Sequence, residues 1–220
     1  MKPYQKLPIQ DCGETLMPID GEKIALVTPH FYQKLGADYG GLSPYYLRFG
    51  VLNRLLQAQS YLENERPGWR ILIFDAYRPV SVQVFMVEYT FNELKKTHNR
   101  TAEELWEKVY TIWAVPTDNP LTPPPHSTGA AVDVTLVDEL GKPLDMGGEI
   151  DELSDRSLPD YYLDSSDPIE QNYHRARQLL CRIMTGAGFC RHGGEWWHFS
   201  YGDQMWAYLA HKPHAIYGKV

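Results

Sequence analysis

The run His126-Ser127-Thr128-Gly129-Ala130-Ala131-Val132-Asp133-Val134-Thr135-Leu136-Val137 decides how this chain is read. Its second half is apolar and β-branched and predicts a strand over Ala131–Val137. Its first half holds Ser127-Thr128-Gly129, a turn-forming triplet whose glycine takes positive φ freely. His126 and Asp133 stand seven residues apart, an odd offset that sends them to opposite faces of a straight strand. They converge only if the chain turns between them, with His126 reaching back over the start of the strand.

Working outward, residues 70–74 (Arg-Ile-Leu-Ile-Phe) predict a buried strand that ends at Asp75-Ala76-Tyr77-Arg78-Pro79. Ser43-Pro44 reads as the cap and first turn of a helix. Leu47, Val51, Leu55, Ala58 and Leu62 form its apolar stripe, and Pro67-Gly68 stops it. Further helices are expected over 82–89 and 102–113. Pro116, Pro120 and Pro123-Pro124-Pro125 make 116–125 a loop. The polar stretch 141–168 has the length of an ordered functional loop. Asp167-Pro168 then starts a helix through Tyr173, Ala176, Leu180, Ile183 and Met184, which Gly186 or Gly188 ends. Residues 24–27 form a short β-like run, and 195–201 an aromatic final strand. Helices early and strands late predict an α+β fold around a small, mainly antiparallel sheet with flanking helices.

The chain has 220 residues, which suits a single domain able to bury its own core. We read 1–220 as that domain, with 1–40 an N-terminal extension packed on a catalytic core of about 43–201. Twenty-one basic against 28 acidic residues give a net charge of −7 and no basic patch, which disfavours a nucleic-acid partner. No apolar run reaches the roughly 18 residues of a membrane span, and the first twenty residues carry no signal-peptide core. Cys12, Cys181 and Cys190 cannot all pair and form no C-x-x-C, which points to a reducing, cytoplasmic setting and away from a thiolate metal site.

Histidines and carboxylates are therefore the catalytic material. Beside His126 and Asp133 stands Glu195-Trp196-Trp197-His198, in which Glu195 and His198 reach one cleft if the preceding Gly193-Gly194 distorts the strand. Two histidines and one aspartate form a catalytic zinc set: three protein ligands and a fourth position for water, whose pKa zinc lowers towards about 7. Glu195 is then the candidate general base, and Arg78 the cation that meets an oxyanion. Bland readings compete with each. A His and an Asp seven apart are common, an arginine at a strand end is most often an ion pair, and E-W-W-H also fits an aromatic core strand. Together they supply different parts of one mechanism. Of the other histidines, His30, His98 and His174 read as surface or capping residues and His211 and His214 as tail residues. His192 stands near enough to line the cleft, with a structural role favoured. Trp196 and Trp197 alternate faces, so one can wall the pocket.

The set His126-x-x-Gly129-x-Ala131-x-Asp133, Glu195-x-x-His198 and Tyr77-Arg78-Pro79, with Met146-Gly147 and then Asp151, resembles the zinc D,D-peptidases, and among them the D-alanyl-D-alanine dipeptidases. The likeness runs from about residue 47 to 201. It implies the zinc D,D-peptidase (hedgehog-like) fold and one Zn²⁺ per chain on His126, Asp133 and His198. It further implies Glu195 as base, Arg78 as transition-state stabiliser and Asp151 against the substrate's ammonium. The implied substrate is the small dipeptide D-Ala-D-Ala. A D,D-carboxypeptidase or wall endopeptidase, or a non-catalytic zinc-binding interaction domain, are the alternatives. One departure stands out. Members often carry small polar residues just before the first zinc histidine, some of which hold substrate, where this chain has Pro124 and Pro125. Ser127 or a backbone carbonyl would take over that task, with Trp197 as the pocket wall.

Overall fold

The computed structural model describes residues 2–220. Its centre is a five-stranded sheet in the order β2 (Ala25–Leu26), β4 (Arg70–Asp75), β5 (Ala131–Val137), β7 (His198–Ser200), β6 (Cys190–Arg191). Only β2 and β4 run parallel; the other three pairings are antiparallel. The expected mainly antiparallel sheet with flanking helices is what the chain forms.

Along β4 the pleat buries Ile71, Ile73 and Asp75 and leaves Arg70, Leu72 and Phe74 half-buried. Ile71 and Ile73 join Val132, Val134 and Leu136 of β5 in a core covered by α2 (Phe49–Glu65) and α5 (Pro168–Gly186). α2 contributes Val51, Leu55, Ala58 and Leu62, at helical spacing on one face. A second apolar cluster joins α3 (Val80–Thr97) and α4 (Ala102–Val109) to Tyr32 and Tyr39 of the N-terminal segment. Asp167 caps α5 by accepting from the Ile169 N–H at 2.7 Å, with Pro168 in its first turn.

Several boundaries depart from the sequence reading. The helix expected from Ser43-Pro44 begins at Phe49. Tyr46–Arg48 is instead a strand, β3, antiparallel to β1 (Leu16–Pro18), and Ser43 Oγ accepts from the Tyr45 N–H in a local turn. Leu47 is fully buried on this strand, a demand for an apolar side chain that a helical stripe shares; pairing with a distant strand outweighed local preference. The final strand is only His198–Ser200, because Glu195 lies in the irregular segment before it, where the Trp196 N–H bonds the Ser157 carbonyl at 3.0 Å. The first forty residues supply β1, β2 and a short helix, α1 (Phe31–Lys34), and reach the interior through Ile24 and Tyr32. No helix among the described residues is long and apolar enough to cross a membrane.

Candidate active site

Sheet register does most of the assembly. In the β5–β7 ladder Asp133 lies directly opposite His198, and neighbours so placed share a face. A register shift after Ile73 sets Asp75 opposite Asp133 on the other side. His126 belongs to a 3-10 turn, Pro125–Thr128, closed by Gly129 at φ +68°. This left-handed residue is the turn that the seven-residue spacing required.

Three ligand side chains converge. His126 Nε2 lies 3.2 Å from His198 Nδ1 and 3.2 Å from Asp133 Oδ2, and His198 Nδ1 lies 3.0 Å from Asp133 Oδ1. Outer partners fix the tautomers. His126 Nδ1 is 2.7 Å from the Ala76 carbonyl, which only accepts, so the proton sits there and Nε2 keeps its lone pair. The Ser200 hydroxyl donates to Asp203 Oδ2 at 2.8 Å, so its oxygen accepts from His198 Nε2 at 3.3 Å. His198 Nδ1 is likewise left with a lone pair. Two ring lone pairs and a carboxylate facing one another are a repulsive arrangement that a cation relieves. A tetrahedral ion with bonds of about 2.0 Å needs donors about 3.3 Å apart, close to what is found. Nitrogen and oxygen donors in this number, each held from behind, suit zinc. Burial alone would push Asp133 up, yet the adjoining His126 and His198 imidazoles hold its carboxyl well below the usual range.

Glu195 stands beside this set, buried, with Oε2 3.9 Å from His198 Nδ1 and Oε1 3.4 Å from His192 Nδ1. Burial first, then the charges of Asp133 and Asp151, push its pKa well up. His192 lines the cavity, and burial followed by the nearby His198 pushes its pKa down to about 3. Its Nδ1 also accepts from the Gly194 N–H at 3.4 Å.

Arg78 is buried between Asp75 and Asp133. Its Nε donates to Asp75 Oδ2 at 2.7 Å, Nη1 to Gln83 Oε1 at 2.9 Å, and Nη2 to both Asp133 Oδ2 and the Tyr32 hydroxyl at 3.1 Å. The rings of Tyr32 and Trp113 flank it at 5.0 and 4.9 Å. Four of the guanidinium's five N–H groups are thereby engaged, so its position is rigid. Asp151 sits at φ +65° on the loop after β5 and accepts from the Tyr32 hydroxyl at 2.7 Å. Burial and then Asp133 push its pKa up to about 7.

Other expected residues fare differently. Trp197 is buried and lines the cavity. Ser127 does not line it: its hydroxyl donates to the Pro124 carbonyl at 2.8 Å, so the substrate contact expected from it is withdrawn. His30, read as a surface or capping residue, is buried with Nε2 3.1 Å from Asp75 Oδ1, where Tyr39 also donates at 3.2 Å. Tyr32 was missed altogether. Its partners Arg78 and Asp151 lie 46 and 119 positions away, and no local pattern marks such contacts.

A water-binding ligand triad, a carboxylate to move protons and a fixed cation for developing charge make this a metal-dependent hydrolase. A family model described as D-Ala-D-Ala dipeptidase matches residues 26–216, and the chain belongs to that family, the M15 peptidases, which are zinc enzymes. It is 53% identical to the D-alanyl-D-alanine dipeptidase of Synechocystis sp., covering 100% of this chain and 97% of that one. With the Escherichia coli K12 D-alanyl-D-alanine dipeptidase it shares 36% identity over 60% of this chain and 55% of that one. A vancomycin-resistance D,D-pentapeptidase, solved as a point mutant in complex with Zn(II), is similar with a TM-score of 0.49 and 15% identity, covering 96% of each chain.

Proposed function

We propose that this chain hydrolyses the dipeptide D-Ala-D-Ala to two molecules of D-alanine, as one catalytic domain spanning 1–220. The observation that carries the reading is the convergence of His126, Asp133 and His198 with their lone pairs inward, beside a buried Glu195. Those three residues would hold zinc. When bound, zinc supplies Lewis acidity that brings the pKa of the attacking water towards about 7 and polarises the scissile carbonyl.

The chain's own residues do the rest. Glu195 takes a proton from the attacking water at its carboxylate and returns it to the departing amine nitrogen; its raised pKa suits a group that must hold that proton between the two transfers. Arg78, fixed by Asp75, Gln83 and Tyr32, faces the negative charge that builds on the carbonyl oxygen. Asp151 accepts the substrate's ammonium and closes the cavity at that end, which admits a dipeptide and excludes a chain extended beyond its amino terminus. Trp197 walls the pocket. The three free cysteines, with Cys12 exposed, support a reducing cytoplasmic setting.

The test is hydrolysis of D-Ala-D-Ala, L-Ala-L-Ala and D-Ala-D-lactate by zinc-loaded and zinc-stripped protein. Turnover of the D,D-dipeptide that vanishes on stripping and returns with zinc is expected. A zinc-loaded protein that leaves D-Ala-D-Ala intact overturns the reading.

A further inference from the structure

The proposed substrate is a zwitterion, so its carboxylate needs a partner just as its ammonium needs Asp151. The positions before His126 provide none. Pro124 and Pro125 line the cavity without a side-chain donor, and the Ser127 hydroxyl is taken by Pro124. Arg78 is held between Asp75 and Asp133, with four of its N–H groups engaged. His192 turns Nδ1 towards Glu195.

One cation on the cavity wall remains. The 3-10 turn Pro3–Lys6 packs on α6 (Gln204–Leu209), and the Lys2 N–H donates to Gln5 Oε1 at 2.9 Å, which fixes the start of the turn. That placement puts Lys2 and Tyr4 on the wall shared with Pro124, Pro125, His192 and Glu195. The Lys2 side chain is exposed, and the ion pairs of the cavity, those of Arg78 and the histidines, do not engage it among the described residues. Its charge reaches the reacting groups: at Glu195 it opposes the upward push of burial, Asp133 and Asp151. Tyr4 is nearly buried and adds a phenol hydroxyl, able to donate, to the same wall.

We infer that Lys2, with Tyr4 beside it, receives the terminal carboxylate of the substrate. The pair thus replaces the donors that Pro124 and Pro125 cannot offer. The assignment rests on the dipeptidase reading above. It makes the N-terminal turn a specificity element: a dipeptide with a free carboxylate is bound better than the same dipeptide with a neutral end.

Zinc-loaded wild type, Lys2→Met, Lys2→Arg and Tyr4→Phe are compared for kcat and KM on D-Ala-D-Ala. D-alanyl-D-alaninamide, which lacks the carboxylate, serves as competitor, its inhibition constant read in each variant. Lys2→Met is expected to raise KM about tenfold, the value of one charge-assisted contact near solvent, with kcat within about twofold. The amide's inhibition constant should move less than about twofold, and Lys2→Arg should stay near wild type. Tyr4→Phe should raise KM a few-fold in the same selective way. Added salt should raise the wild-type KM and not that of Lys2→Met. An unchanged KM in Lys2→Met, or equal weakening of dipeptide and amide, overturns the assignment while leaving the dipeptidase reading intact. A wild type with no turnover of the dipeptide overturns both.

Discussion

Gly129 is the hinge of the site, and replacing it with alanine tests the assembly most directly. The residue sits at φ +68°, between His126 in the turn and Asp133 on the strand. A side chain in the left-handed region costs about 1–2 kcal/mol. A Cβ there would also stand 2.4 Å from Leu16 Cδ2 and 3.5 Å from the Arg48 backbone nitrogen. Leu16 is half-buried at its strand and can swing aside, so the overlap adds about 1–2 kcal/mol, the low end for overpacking. The sum is about 2–4 kcal/mol. At about 2–4 °C per kcal/mol for a chain of this size, Tm falls by roughly 4–16 °C. His126 shifts with the turn, so zinc affinity should fall at least about tenfold. Calorimetry of metal-stripped protein reads the first effect, and competition with a chromophoric chelator the second. In a Leu16→Ala background the same substitution should cost only the backbone part, about 1–2 kcal/mol. A stripped protein that melts within about 2 °C of wild type and binds zinc unchanged would refute the claim that this left-handed turn builds the site.

Glu195→Ala should lower kcat by at least about a hundredfold while the protein still retains zinc by elemental analysis; loss of zinc in parallel would make Glu195 a ligand instead of the base. Chelation should lower Tm by roughly 5–11 °C, from about 2.7 kcal/mol of linkage at a hundredfold excess of zinc over its Kd, and readdition should restore it; equal melting of loaded and stripped protein would count against the cation the three lone pairs call for. Tyr32→Phe deletes the hydroxyl between Arg78 and Asp151 and should reduce kcat/KM about 10–100-fold with the fold intact by circular dichroism, as expected for hydrogen bonds to charged groups. Ser127→Ala should lose about 1 kcal/mol of stability and leave KM within about twofold, since its hydroxyl serves Pro124 and not the cavity; a large rise in KM would return it to the substrate.

How much was legible varies by residue. The strand over Ala131–Val137 was predicted to the residue, because β-branched side chains buried on both faces leave no helical alternative. Both long helices that cover the sheet showed in their apolar spacing, but the first helix start did not. Leu47 is four residues from Val51 by accident of a strand meeting a helix, and a period of one step cannot separate the two. The two histidines that converge on Asp133 were legible through local motifs with Gly129 and Glu195 beside them. His30 and Tyr32 carry no such motif. They matter through Asp75, Arg78 and Asp151, and only the folded chain brings those near.

By itself the sequence determined the elements and the inventory: the turn-strand unit, the absence of a thiol framework, and an α+β chain with two histidines, an aspartate, a glutamate and an arginine of complementary chemistry. Those follow from local sterics, periodicity and side-chain type, which need no distant partner. The tertiary structure alone decided which nitrogen of each histidine faces inward, through Ala76 and through Ser200 with Asp203. It alone turned Ser127 away, buried His30 on Asp75, set Tyr32 between Arg78 and Asp151, and brought Lys2 from the N-terminal segment to the cavity. The contacts of His126 with Ala76, His30 with Asp75, and Tyr32 with Arg78 and Asp151 span 45 to 119 residues, and their free energy exists only once the sheet register and the core have fixed those distances.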